Sequence, residues 1–278
     1  MPELPEVQTV VTLLAQKRIS GRRITGASVT WNKSIGAMTP TVFRRTIVGR
    51  TIKGIGRRGK YIVVGLSGGW TLLIHLRMSG RLNLLTARTS RNKHEHVVLQ
   101  LDANDELRFQ DTRKFGRFLL TDTPEKVLDR LGMEPLEADF TLEWLKGMLQ
   151  SRNRQIKPLL LDQRILAGLG NIYVDEALWK AGVHPQRKSQ SLCENEIDNL
   201  HKAIPHVLRK GLRNMGTALG TGKANFYFPG NRVGRNAEQL NVFRRTGKSC
   251  PRCGEKIERI IVAQRSSHVC FRCQPPPF

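Results

Sequence analysis

The pattern that decides the C-terminal fold is Cys250-Pro-Arg-Cys253, followed after sixteen residues by Cys270-Phe-Arg-Cys273. Each C-x2-C pair brings two thiolates to one point, and two pairs complete a tetrahedral shell of four sulfur ligands. A shell with no open position is typical of a structural zinc ion. Disulfides are the alternative, but a reducing cytosol disfavours them. The spacing therefore predicts one structural Zn²⁺ held by four cysteine thiolates.

Between the two cysteine pairs lies Ile257-Glu-Arg-Ile-Ile-Val-Ala-Gln-Arg265, whose β-branched residues predict a strand. A β-hairpin finger that ends in Gln264-Arg265-Ser266-Ser267 presents Arg265 at its tip. The fifth cysteine, Cys193, stands apart from this pattern, and we interpret it as an ordinary helix residue.

The chain is strongly basic, with a formal net charge of +23 and a pI near 10.7 over 278 residues. Residues 199–278 hold 15 Lys and Arg against 3 acidic residues, so +12 of the total lies there. Such a surface favours a polyanion, most commonly a nucleic acid. A basic solubility surface, or binding to a ribosome or a membrane surface, is the alternative.

No apolar run approaches the roughly 18 residues that would span a bilayer, and the N-terminus lacks the pattern of a signal peptide. We therefore expect an intracellular protein with no membrane partner.

Apolar spacing predicts the order of the elements. Leu4, Val7, Val10, Val11 and Leu14 recur at helical intervals, which predicts a helix over 4–18. Short β-branched segments then predict the strands of a sandwich or barrel, most clearly at 60–66, 70–76, 95–101, 106–110 and 116–121. The later pattern predicts helices at 141–150, 155–166, 172–181 and 194–214, with a long Gly- and Asn-rich loop over 217–236.

These elements predict an α+β protein. An N-terminal helix with a β-sandwich domain covers 1–122, a helical domain with the long loop covers 123–236, and the zinc finger covers 237–278. Within the helical domain, Leu166-Ala-Gly-Leu-Gly-Asn171 runs directly into a helix. Glycines and a helix N-terminus can together hold a phosphate; a plain Asn cap between two packed helices is the alternative.

The chain opens Met1-Pro-Glu-Leu-Pro-Glu-Val7. Proline suits the first position of a helix and glutamate its first turn, so a helix start is one interpretation. The other is that removal of Met1 exposes the secondary amine of Pro2 beside Glu3. An α-amino group has a pKa of about 8, so a useful fraction is neutral and nucleophilic at cellular pH. These residues alone leave both interpretations open.

Six motifs together resemble the formamidopyrimidine-DNA glycosylase family. They are Pro2-Glu-Leu-Pro-Glu-Val7, Gly59-Lys60-Tyr61, His75-Leu-Arg-Met-Ser-Gly80, Asp111-Thr-Arg-Lys-Phe-Gly116, Gly170-Asn171-Ile172-Tyr173 and the four-cysteine finger. They occur in this order from Pro2 to Gln274. The resemblance implies an N-terminal β-sandwich, a helix–two-turns–helix domain and a zinc-ribbon finger.

The resemblance also implies an activity: a bifunctional DNA glycosylase and AP lyase of base excision repair. Such an enzyme excises 8-oxoguanine and formamidopyrimidines opposite cytosine, through a Pro2 Schiff base and β,δ-elimination. Its partner is duplex DNA that contains oxidised bases or abasic sites, bound by a monomer in the bacterial cytoplasm at the nucleoid.

The resemblance assigns roles to individual residues. Pro2 matches the nucleophile and Glu3 its acid–base partner, while Lys60 and Arg265 match phosphate contacts of the catalytic site. Glu6 faces the lesion pocket, with a helix-surface salt bridge as the alternative.

The remaining matches concern DNA binding. Met78 fills the gap left by an extruded base, Phe115 wedges the neighbouring pair, and Arg113 donates to the orphaned base. Asn171 and, more weakly, His75, His94 and Lys157 match DNA-facing positions. The alternatives are a buried Met and Phe at strand ends, solvated charges, and strand histidines with satisfied hydrogen bonds.

The chain departs from the family at two places. Gln8 stands where the family carries a glutamate, and residues 217–236 form an atypical loop with three consecutive aromatic residues, Phe226, Tyr227 and Phe228, that could stack on a base. Two other functions therefore stay open: an endonuclease VIII-like glycosylase for oxidised pyrimidines, which Leu4 and the Met78, Arg113 and Phe115 set disfavour, and a non-catalytic zinc-containing binder of damaged DNA.

Overall fold

The structure, a computed structural model, describes residues 2–218, 228–229 and 233–277. The chain divides into two compact units. The first unit comprises Met1–Asp129 with Asn214–Arg235, and the second comprises Arg130–Arg213 with Asn236–Phe278. The division into three domains, at 1–122, 123–236 and 237–278, stays a prediction from the sequence.

The first unit contains two antiparallel four-stranded sheets, in the strand orders β1-β6-β7-β5 and β2-β3-β4-β8. Its helices are α1 (Leu4–Gln16), α2 (Pro40–Ile47) and the short α3 (Glu125–Leu128). Its strands are β1 (Ile24–Val29), β2 (Ile52–Arg58), β3 (Tyr61–Leu66), β4 (Thr71–His75), β5 (Arg81–Thr86), β6 (Glu95–Leu101), β7 (Asp105–Gln110) and β8 (Arg117–Thr121).

One apolar core joins the two sheets to α1 and α2. The Phe109 ring from β7 and the Phe118 ring from β8 meet with their centroids 4.9 Å apart. The buried stripe of α1 packs on β2 and β3, as its helical spacing predicted. Helix α2 was not predicted. It begins at Pro40, where the Thr39 hydroxyl accepts the backbone N–H of Val42, so a local cap overrides the strand preference of its β-branched residues.

The second unit is helical and ends in the finger. Its elements are α4 (Leu142–Gln150), α5 (Ile156–Leu161), α6 (Asn171–Ala181), α7 (Glu194–Arg213), β9 (Glu258–Val262) and β10 (Arg265–Val269). Helix α5 is shorter than predicted because Asp162 leaves the helical conformation, and its carboxylate accepts the backbone N–H of Arg164.

The aromatic residues predicted to stack on a base fall in two groups. Phe226 and Tyr227 lie outside the described residues. Phe228 is fully buried in the core of the first unit, so the stacking interpretation is wrong for this residue. Among the helices of the described residues, none combines the length and apolarity that crossing a bilayer demands.

Candidate active site

The start of α1 is buried. Pro2 and Glu3 precede the helix, and Glu3 is its N-cap at 2% exposure. The backbone N–H of Glu3 donates to Glu6 Oε2 at 2.8 Å, one half of a capping box. The cap fixes the direction of the chain at Pro2. The interpretation of these residues as a helix start is therefore compatible with their interpretation as a reactive terminus.

Glu6 connects α1 to the segment that follows α7. Its side chain is buried, and Oε1 accepts the backbone N–H of Thr217 at 2.7 Å. Burial at 1% exposure rules out the surface salt bridge considered above. Beside it on α1, Gln8 Oε1 accepts from Arg57 Nε at 3.1 Å, so the amide that replaces the family's glutamate has a defined partner.

Lys60 and His75 lie close together on the second sheet. Lys60 follows Gly59 in the turn from β2 to β3 and is 5% exposed. His75 ends β4, where Nδ1 accepts the backbone N–H of Arg77 at 3.0 Å and the Tyr61 ring lies edge-on at 4.8 Å. Burial, reinforced by the positive charges of Arg77 and Lys60, lowers the pKa of His75 to about 3. The imidazole is therefore neutral at cellular pH.

Two loops of the first unit each expose a large apolar side chain, and one of these loops also exposes an arginine. Met78, between β4 and β5, is 43% exposed, and Phe115, between β7 and β8, is 47% exposed. Arg113 is also exposed, with its guanidinium carbon 5.0 Å from the Phe115 ring centroid. Exposed apolar groups of this size suit insertion into another molecule better than packing at a strand end.

A single buried carboxylate ties these loops together. Asp111 Oδ1 accepts from the Ser79 hydroxyl at 2.5 Å and the Arg113 N–H at 3.2 Å, while Oδ2 accepts from the Gly116 N–H at 2.7 Å. Asp111 has 0% exposure. The motifs that contain Asp111 and Ser79 did not predict this role, because the contact between the two residues spans 32 residues.

The same two loops approach one ring closely. A Cβ added at Gly80 would lie 2.8 Å from the Phe109 ring, and one added at Gly116 would lie 2.1 Å from it. Only glycine allows both loops to pack against Phe109. Together with Asp111, this ring fixes the loops that carry Met78 and Phe115.

His94 lies next to the Asp111 loop. It is half-buried, its carbonyl accepts the Asp111 N–H at 2.9 Å, and its ring lies 6.5 Å from that of His96. A backbone hydrogen bond therefore connects His94 to the start of the loop that carries Arg113.

In the second unit, Asn171 is the first residue of α6. Gln163 organises the preceding turn: its Oε1 accepts the Gly168 N–H at 3.0 Å and its Nε2 donates to the Leu169 carbonyl at 2.8 Å. Asn171 Nδ2 donates to the carbonyl of Ser266 in β10 at 2.9 Å. The structure thus brings Asn171 close to the finger residue adjacent to Arg265, which is exposed.

Lys157, by contrast, is inside the protein. Its side chain has 0% exposure, and Nζ lies 2.5 Å from Asp175 Oδ1 and 2.8 Å from the Ser266 carbonyl oxygen. It stands beside the Asn171 and Arg265 region but does not form part of its surface.

The four finger cysteines converge as predicted. Their sulfur atoms all lie within 4.8 Å of one another, with Cys250 and Cys273 3.8 Å apart and Cys253 and Cys270 3.4 Å apart. Tetrahedral coordination with bonds of about 2.3 Å needs sulfur–sulfur distances of about 3.8 Å. The four cysteines are therefore clustered to hold one metal ion, and Trp179 Nε1 supports Cys250 Sγ at 3.4 Å.

Comparison with known proteins decides the family. The family model "Formamidopyrimidine-DNA glycosylase N-terminal domain" matches residues 1–118, the model of the same family's H2TH domain matches 131–222, and "Zinc finger found in FPG and IleRS" matches 247–276. The chain belongs to the formamidopyrimidine-DNA glycosylase family.

Named relatives and solved structures agree with this family. The formamidopyrimidine-DNA glycosylase of Chloroflexus aurantiacus is 47% identical over 277 residues, which covers 99% of this chain and 98% of the relative. A Lactococcus lactis FPG mutant, solved with DNA containing Fapy-dG, has a TM-score of 0.91 at 38% identity and covers 99% of this chain and 100% of its own. The L. lactis Fpg solved with DNA containing an abasic site has a TM-score of 0.90 at 37% identity with the same coverage.

The low pKa of His75 predicts acid destabilisation. Between about pH 6.5 and pH 3 the unfolded chain protonates this histidine and the native state does not, so the free energy of unfolding falls as pH drops, by at most about 1.4 kcal/mol per pH unit. His75→Gln should remove that component from the pH dependence. NMR titration should show the His75 ring still neutral at pH 5, whereas in denatured protein it titrates near 6.5. If the free energy of unfolding had the same pH dependence in the wild type and in His75→Gln, the low pKa assigned to His75 would be contradicted.

Asp111 should support the loops of Met78 and Phe115. Asp111→Ala leaves the buried N–H group of Gly116 without its acceptor and removes one acceptor each from the Ser79 hydroxyl and the Arg113 N–H, at a cost of about 2–4 kcal/mol in urea unfolding. Asp111→Asn, which retains one carbonyl oxygen, should cost less. Amide exchange at Gly116 should accelerate in the alanine variant. The exposed Asp122→Ala is the matched control, expected within about 0.5 kcal/mol of wild type; an equal effect of both alanine variants would count against this role.

Loss of the metal should unfold the finger alone. Zinc content by elemental analysis should fall from about one per chain to near zero in Cys250→Ser, because a three-thiolate site binds far less tightly. Amides of β9 and β10 should lose exchange protection while those of β3 and β4 keep theirs. Cys193→Ser, at an exposed cysteine far from the cluster in sequence, should retain its zinc. Retained zinc in the Cys250 variant would rule out the four-sulfur site.

Proposed function

We propose that this protein is a bifunctional DNA glycosylase and AP lyase that excises oxidised purines, 8-oxoguanine and formamidopyrimidines, from duplex DNA. Family membership supports the reaction class, and relatives have been solved with Fapy-dG and abasic DNA. The observation that supports the proposal for this chain is the buried Pro2-Glu3 start of α1, where removal of Met1 would leave the amine of Pro2 next in sequence to the Glu3 carboxyl group.

Pro2 is the proposed nucleophile, once Met1 has been removed. Its secondary amine attacks C1′ of the damaged nucleotide, and the C1′–N bond breaks as the base leaves with the bonding electrons and gains a proton. The Pro2 nitrogen then loses its proton, and opening of the sugar ring at C1′–O4′ gives an iminium. The iminium acidifies the C2′ proton, so the 3′ phosphate leaves by β-elimination and the 5′ phosphate by δ-elimination.

Glu3 is the proposed proton carrier. It adjoins Pro2 in sequence and is buried, so its carboxyl group acts in a site shielded from bulk water. A group at this position can accept the proton that the Pro2 nitrogen loses after its attack on C1′, and then protonate O4′ as the ring opens. Its backbone is fixed by the hydrogen bond to Glu6, which limits how far the carboxyl group can move away.

Base extrusion is assigned to the two loops held by Asp111. A base inside a duplex has to leave the stack before its glycosidic bond can be reached. We propose that Met78 fills the vacated space, Phe115 wedges the adjacent pair, and Arg113 donates to O2 and N3 of the orphaned cytosine. The exposure of all three side chains supports this role. An arginine has five donors and no acceptor, which suits that cytosine edge.

Phosphate binding is proposed for residues of both units. In the first unit these are Lys60 and His94, and in the second Asn171 and Arg265. The excess of positive charge in residues 199–278 supports strong backbone binding, since each phosphate contact releases counterions. We also propose that the protein acts in the bacterial cytoplasm, where thiols stay reduced and can hold the metal.

Borohydride trapping tests the nucleophile. Reduction of the imine should crosslink the wild-type protein to duplex DNA that contains an abasic site, and a form that retains Met1 should give no crosslink. Pro5→Ala is the matched control: it alters the second proline of the same turn, leaves the terminal amine intact and should still crosslink.

Two results would overturn the mechanism. A crosslink of normal yield with Met1 retained would mean that another amine attacks C1′. No crosslink in the wild type, together with tight binding to damaged DNA, would favour the non-catalytic binder instead.

A further inference from the structure

The second unit contains a buried ion pair that the proposed reaction does not use. Lys157 in α5 and Asp175 in α6 have side-chain exposures of 0% and 1%, and their charged atoms lie 2.5 Å apart. A buried pair of this kind seldom adds stability over apolar residues of the same size, because both charges have lost their water. Its value is more often geometric, so the other contacts of the two residues indicate its role.

Those contacts lead to the finger. The second oxygen of Asp175 accepts the backbone N–H of His268 at 2.9 Å and lies 3.1 Å from His268 Nδ1. Lys157 Nζ donates to the carbonyl of Ser266, and Asn171 Nδ2 donates to the same oxygen. The pair therefore holds β10 at two residues, Ser266 and His268.

Arg265 directly precedes Ser266, whose carbonyl oxygen accepts both of these hydrogen bonds. The hairpin turn before it consists of Ala263 and Gln264, both non-glycine residues with positive φ, at 46° and 61°. Such a turn is unfavourable without glycine or asparagine, so contacts outside the turn must hold it. The direction of the Arg265 backbone is set by this turn on one side and by the Ser266 contacts on the other.

We propose that Lys157 and Asp175 are positioning residues for DNA binding: they hold the finger so that Arg265 and Asn171 grip the same DNA backbone, and Lys157 does not itself touch a phosphate. This inference rests on the proposed function, and it names a support for one of its contacts. A fully buried ammonium group has no surface to offer to DNA.

The opposite behaviour of Asp175 separates the two roles. If Lys157 contacted a phosphate, removal of the neighbouring negative charge would strengthen DNA binding or leave it unchanged. If the pair positions the finger, Asp175→Asn weakens binding although the protein becomes more positive. An increase in positive charge alone would strengthen DNA binding, so it cannot explain weaker binding by Asp175→Asn.

Equilibrium binding to a duplex with a tetrahydrofuran abasic analogue tests the proposal, because this duplex has no glycosidic bond to cleave. We expect Lys157→Met and Asp175→Asn each to raise Kd about tenfold, on the order of one lost charge-assisted contact. Arg265→Ala should do the same, and Lys157→Met combined with Arg265→Ala should be no weaker than Arg265→Ala alone. The exposed pair Lys146 and Glu194 provides the controls Lys146→Met and Glu194→Gln, each expected within about twofold of wild type.

Tighter or unchanged binding by Asp175→Asn, or multiplied effects in the Lys157 and Arg265 double variant, would overturn the proposal. Zinc content and circular dichroism check folding. Where a single variant loses zinc, Lys157→Met/Asp175→Asn replaces it, since no unpaired charge is left inside; wild-type affinity in that folded variant also refutes the proposal.

Excision separates this inference from the proposed function. Excision from an 8-oxoguanine duplex is measured with the wild-type protein, because it depends on the proposed chemistry of Pro2 and not on the Lys157 and Asp175 variants. Wild-type protein that binds the analogue but excises nothing would refute the proposed glycosylase, and the binding comparison would still decide the role of the pair.

Discussion

Buried carboxylates that accept backbone N–H groups position the functional segments of both units. Glu6 accepts the N–H groups of Glu3 and Thr217, and Asp111 accepts those of Arg113 and Gly116. In the second unit, Glu176 accepts the backbone N–H groups of residues 241–243 at the approach to the finger. A buried carboxylate is costly unless its oxygens are satisfied, so each one constrains its segments to a narrow range of positions.

This constraint explains where the backbone is held in unfavourable conformations. Arg77 precedes Met78 with φ at 54°, and Lys114 separates Arg113 from Phe115 with φ at 59°. A left-handed conformation at a non-glycine residue costs roughly 1–2 kcal/mol, and it persists only when surrounding contacts over-determine it. The Asp111 carboxylate and the packing of both loops on Phe109 supply those contacts. The exposed side chains of Met78, Arg113 and Phe115 are therefore presented by a constrained backbone. In the proposed DNA complex this would limit the ordering entropy lost on binding.

Local signals in the sequence were sufficient for some of these features and not for others. Helix α1 and the four-cysteine cluster depend on spacings of a few residues, and the structure confirms both. The Thr39-Pro40 cap of α2 was also readable, but the surrounding β-branched residues favoured a strand. The burial of Lys157 was not readable, because its partners lie 18 and 109 residues away and only the folded chain joins them. The contacts of Glu6 with Thr217 and of Asp111 with Ser79 were missed for the same reason.

The contact between Glu6 and Thr217 joins two segments that lie 211 residues apart in the sequence. Thr217 belongs to the first unit with Asn214–Arg235, although it follows α7 of the second unit in the chain. Glu6 lies in the first turn of α1, and its other oxygen accepts the N–H of Glu3. One side chain therefore contacts both the backbone beside the proposed nucleophile and the backbone of Thr217. In the proposed mechanism, one carboxylate would therefore connect the backbone position of Thr217 to that of Glu3.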